Sequence, residues 1–129
     1  MPHNRTLVVT NVLAIVLVIL HTSDDIVRGF EPDGLKHIQT ILTMGLWLYG
    51  TLALNGRRAG YILMLLGSML GVLVSIAHMI GAGLVGGRVA NTDGRLLWVF
   101  TPLMLGVIAS ASIVLAAQGL WRLRRSRRE

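Results

Sequence analysis

Four long stretches of this chain carry no charged side chain. Residues 6–23, 37–56, 59–87 and 96–121 contain no Asp, Glu, Lys or Arg. A helix needs about 20 mostly apolar residues to cross a hydrocarbon core roughly 30 Å thick. A segment inside lipid must also satisfy its own backbone hydrogen bonds, which favours helix over open strand. Four such runs in 129 residues predict an all-α integral membrane four-helix bundle. It is one transmembrane domain over 1–129, with helices near 6–22, 35–54, 60–84 and 96–121 and a basic tail over 122–129.

Composition agrees with the runs. Hydrophobic residues make up 53% of the chain and charged residues 14%, against roughly 25% charged in soluble domains. With no cysteine, a disulfide framework, a thiolate nucleophile and a thiolate metal site are all excluded. Arg5 ahead of the first run fits the start of a signal peptide, but His21-Thr22-Ser23-Asp24 after Leu20 lacks the small residues of a cleavage site. The first run is therefore expected to remain as a helix.

Basic residues in short loops stay on the cytoplasmic side. The connection between runs two and three carries Arg57 and Arg58, the tail carries Arg122, Arg124, Arg125, Arg127 and Arg128, and the N-terminus carries Arg5. Both termini and this connection are expected inside, in a plasma (cytoplasmic) membrane, with the other two connections outside. The arginines then serve topology and attraction to anionic lipid, at about 1 kcal/mol for each basic residue near the surface. The pI of 11.4 thus has a membrane explanation, and nucleic acid is not an expected partner.

Between membrane helices the drive to associate is close backbone approach and polar contact, not hydrophobicity. The third run offers Gly67, Gly71 and Ser75, four apart, and the fourth offers Gly106 and Ser110, then Ser112 and Ala116. Asn11, mid-membrane in the first run, is expected to hydrogen-bond inside the bundle. The outer connections read RGFEPDG over 28–34 and RVANTDG over 88–94. Each follows a histidine, so two helical hairpins related by a weak parallel repeat are a second expectation.

The stretch HTSDDIVRGFEPDGLKH, residues 21–37, holds most of the acids. His21 and His37 stand at its two ends. A third run starting near residue 60 carries His78 about 27 Å along its axis, to the same outer boundary. His78 shares a face with Gly67, Gly71 and Ser75, so it is expected to point inward. Asp24 and Asp25 follow His21 at i+3 and i+4, on one face if the helix continues that far. Imidazole and carboxylate suit transition metals, zinc or copper first among them, and histidine also suits proton exchange. The plainer alternative has Asp24 paired with Arg28 and the histidines bonded to loop or helix carbonyls.

Two functions follow. The first is non-enzymatic: a small scaffold or accessory subunit working through helix contacts, as a homo-oligomer or in a larger membrane complex. The second is an outer-face site of His21, Asp24, Asp25, His37 and His78 holding a metal or small ligand, with redox, transport-linked or hydrolytic chemistry. No P-loop, G-x-S-x-G or H-E-x-x-H motif occurs, so no catalytic residue is assigned.

Overall fold

The computed structural model describes residues 2–27, 35–80 and 95–126. These form four helices: α1 (Pro2–Val27), α2 (Leu35–Leu52), α3 (Arg58–Ile80) and α4 (Arg95–Arg125). Three helices, α1, α3 and α4, contain segments long and apolar enough to cross a membrane: Asn4–Val27, Arg58–His78 and Val99–Arg125. That marks the chain as a membrane protein. The remaining helix, α2, is not among these segments. Its 18 residues begin with Lys36, His37, Gln39, Thr40 and Thr43 interspersed with Leu35, Ile38, Ile41 and Leu42.

The first helix also outruns its expected end at residue 22. It continues through Asp24 and Asp25 to Val27, because nothing between His21 and Val27 breaks a helix: no Gly and no Pro. The two R-x-x-x-x-D-G stretches, the Asp24–Arg28 pair, residues 81–84, and Arg127 and Arg128 of the tail lie outside the described residues.

The helices run up, down, up, down. Asn4 near the start of α1 accepts a hydrogen bond from the Tyr61 hydroxyl at the start of α3, 3.2 Å away. Tyr61 in turn packs on Gly119 near the end of α4. At the other end His21 of α1 meets His78 of α3 and Thr101 of α4. The turn between α2 and α3 closes with Arg57 N–H on the Leu54 carbonyl at 3.0 Å. Gly56 takes φ +80° there, a left-handed conformation that suits glycine. Arg57 and Arg58 therefore sit at the same end as Arg122, Arg124 and Arg125.

Interior faces follow helical spacing. On α1, Leu7, Asn11, Ala14, His21 and Asp25 are buried; on α3, Tyr61, Met64, Ser68 and Ser75; on α4, Thr101, Leu105, Ala109, Ser112 and Ala116. Steps of three and four keep each set on one stripe. The most extensive contact is α3 on α4, then α1 on α4, while α2 leans chiefly on α3 and touches α1 less. Outward the surface is oily: Leu13, Val16, Leu20, Leu42, Leu66, Leu73 and Val107 are all exposed, as expected of helices that face lipid.

Glycine makes this packing close. A β-carbon on Gly67 would run into the Trp47 indole of α2. One on Gly71 would lie 3.2 Å from Ala109 Cβ and 3.3 Å from Leu105 Cδ1 of α4. Gly106 faces Ser75, where an added carbon would sit 3.1 Å from Ser75 Cβ. The third helix thus uses its small residues on two neighbours, α2 and α4. Ser110 corrects the expected α4 face. It is exposed and its hydroxyl turns back to the Gly106 carbonyl at 2.7 Å, because the buried stripe passes through Ala109, one residue and about 100° away. Gly67→Ala is expected to cost about 1–3 kcal/mol through overpacking and Gly71→Ala less. Thermal unfolding in detergent measures both, and the reverse order would place Trp47 elsewhere.

At mid-bundle Asn11 holds three helices together. Its Oδ1 accepts from Trp47 Nε1 at 2.7 Å and from Ser68 Oγ at 3.3 Å, while its Nδ2 donates to the Leu7 carbonyl at 2.9 Å. All of the amide's neighbours here are buried, so each polar atom needs such a partner.

Candidate functional site at the non-basic end

The stripe on α1 that carries Asn11 reaches His21 after ten residues, about 15 Å along the axis. His21 is 4% exposed. His78 arrives from α3 on the stripe of Ser68 and Ser75. The two imidazoles meet edge to face, with Nε2 to Nε2 at 2.8 Å and ring planes 76° apart. One turn beyond His21, Asp25 folds back, and its Oδ2 lies 3.4 Å from His21 Nε2. One ligand atom from each of His21, Asp25 and His78 lies within 4.8 Å of the other two.

The remaining ring nitrogens each face a polar partner. His78 Nδ1 is 2.8 Å from the Val74 carbonyl. A carbonyl only accepts, so this nitrogen carries a proton and Nε2 of the neutral ring offers its lone pair to His21. On the other side His21 Nδ1 is 3.3 Å from Thr101 Oγ1. A hydroxyl can donate or accept, so His21 has two neutral arrangements. In one, His21 Nε2–H donates to His78 and Thr101 donates to Nδ1. In the other, Nδ1–H donates to Thr101 and both Nε2 lone pairs face inward next to the Asp25 carboxylate, which only a bound cation would sustain because lone pairs 2.8 Å apart repel.

The second arrangement is that of a metal site whose histidines are each held by an outer hydrogen bond. Metal–nitrogen bonds are about 2.0–2.1 Å, so tetrahedral coordination wants nitrogens about 3.3 Å apart. The observed 2.8 Å is about half an ångström short of that separation. A carboxylate beside two neutral imidazoles gives a borderline-soft set suited to zinc or copper.

Among the five residues expected here, three come together. Asp24 does not join them. It is half-buried and sits one residue, about 100°, away from Asp25 on the helix. His37 also lies apart. It lines a groove between α1 and α2 with Thr22, Ser23, Ile26, Thr40 and Ile41, on a side of α1 that His21 does not face. Sequence reasoning missed Thr101, whose signal was its depth: it lies near the start of α4, level with His21. It also missed Trp47 and Ser68 as the partners of Asn11. Comparison with protein-family models, with curated proteins and with solved structures finds no match for this chain.

Proposed function

We propose that this is a multi-pass protein of the plasma membrane that binds a transition-metal ion, zinc or copper, at its outer end through His21, Asp25 and His78. The observation that carries the reading is the meeting of two imidazoles and a carboxylate from helices 57 residues apart in sequence. Ionisable groups within a membrane protein's interior are costly and mark function by default. A role through helix contacts would use the same pair as a hydrogen bond between α1 and α3, which the metal measurements below distinguish.

In this reading all four helices cross the bilayer, with both termini and the α2–α3 turn inside. The argument for α2 is its orientation. Ile38, Ile41, Leu42, Leu46 and Tyr49 are exposed, where lipid would cover them. Trp47 and Thr51 are buried against the other helices. Polar contact and close packing of this kind hold a helix to its partners in lipid.

Two measurements test the proposal. Protein purified without chelator and without a histidine tag should carry a zinc or copper ion by elemental analysis; metal at background level that added zinc or copper cannot restore would sink the reading. For the topology, cysteines placed at Asn55 and Ser126 should be shielded from an impermeant thiol reagent in intact cells, while one at Asn91 should label. The opposite pattern reverses the orientation.

A further inference from the structure

We propose that the basic end of the bundle holds a pocket for the phosphate of an anionic membrane phospholipid, built by Arg57, Arg58 and Arg124. These arginines come from two separate parts of the chain. Arg57 and Arg58 stand on the α2–α3 turn beside Gly56, and Arg124 stands on the last turns of α4. Together with Leu120 and Leu123 they line a cavity of about 240 Å³. All three arginines are exposed, while the two leucines are half-buried, which gives a cationic mouth over an apolar wall.

Each part of this arrangement matches a lipid phosphate. A guanidinium presents a planar fork of donors that fits phosphate oxygens two at a time. The described carboxylates, Asp24 and Asp25, belong to the opposite end of the bundle, so no described acid competes for these arginines. Gly56 lacks a side chain at the rim, and an added carbon there would meet only Asn4 Nδ2, at 3.9 Å. Trp121 is exposed one residue beyond Leu120, and exposed tryptophan marks the headgroup level. The cavity is smaller than the roughly 300 Å³ at which sites for whole small molecules begin, so it suits a headgroup phosphate with the lipid's chains left along the helix surface. Basic pockets between membrane helices on the cytoplasmic side are suited to such headgroups.

The test uses the full chain in neutral detergent, titrated with phosphatidylglycerol or phosphatidylcholine and read by native mass spectrometry and melting temperature. Phosphatidylglycerol should be retained and should stabilise, and phosphatidylcholine should do neither. The double variant Arg58→Gln/Arg124→Gln should bind phosphatidylglycerol about fivefold more weakly for each arginine removed. The double variant Arg5→Gln/Arg122→Gln removes equal charge outside the pocket and should lose clearly less affinity than the pocket pair. Equal losses in the two variants would overturn the proposal in favour of diffuse attraction. Equal stabilisation by inorganic phosphate would also overturn it, in favour of a soluble anion. If the glutamine pair fails to fold, Arg58→Lys/Arg124→Lys decides: it keeps the charge and loses the fork, so binding as tight as the parent's would count against a built pocket.

Discussion

Gly60→Ala is expected to destabilise the protein by about 3 kcal/mol, at the upper end of overpacking costs. A single methyl group does this because of what it would meet. An added β-carbon on Gly60 runs into the Leu54 carbonyl and approaches the Gly50 carbonyl oxygen to 3.0 Å. Both obstacles are backbone, so no side-chain rotation relieves them. The last turn of α2 must move away from the first turn of α3. That contact, with the hydrogen-bonded turn at Leu54–Arg57, holds α2 alongside the others. Gly45→Ala, six residues before Thr51 on the same helix, is the control, because nothing lies within 4 Å of its added carbon. It should change stability by less than about 0.5 kcal/mol. Equal melting temperatures for the two variants would mean that α2 and α3 are not in close register.

The expected collapse of α2 packing also bears on what a sequence of this kind reveals. Charge-free runs and the one-sided arginines are one-dimensional signals, and both are read without knowing how any helix is rotated. Depth is equally legible. Counting 1.5 Å per residue from the basic end brings His21 and His78 to a common level, and the glycine stripe turns His78 inward. Rotation about each axis is harder. Asp24 and Asp25 differ by about 100° of azimuth, and the choice between them depends on α1 remaining helical to Val27. His37 is turned to the α1–α2 groove, because α2 is oriented by Trp47 reaching Asn11 ten residues further in. Ser110 was attractive for its size, yet Ala109 occupies the buried stripe. Small residues stand on both faces of α4, so size alone could not select between them. Thr101 escaped notice because a lone hydroxyl in an apolar run has no pattern of its own.

Zinc or copper is expected to stabilise the folded protein by about 2.7 kcal/mol when free metal is a hundredfold above its Kd, and His78→Ala to abolish that gain. The two outcomes test different parts of one geometry. Mass action requires only that the folded state binds metal and the unfolded state does not. Loss of the gain in His78→Ala requires that the ion sits between α1 and α3, since His21 and Asp25 both belong to α1 and would survive the substitution. Thr101→Val gives a subtler result. It keeps the shape and removes the hydroxyl 3.3 Å from His21 Nδ1, so the parent's stability without metal should change less than its metal gain. Losses of about tenfold or more in metal affinity are usual when such an outer hydrogen bond is removed. His3→Ala alters a histidine near the opposite end and should leave the gain intact. Acid provides an independent check. Binding requires both Nε2 lone pairs, so protons compete with the metal, and the gain should be smaller near about pH 5 than near about pH 7.5. A gain that persists in His78→Ala would move the metal off this site, to surface histidines or the detergent-exposed termini. A gain absent from the parent protein would leave the 2.8 Å imidazole pair as a hydrogen bond that fastens α1 to α3, with Asp25 as its counter-charge.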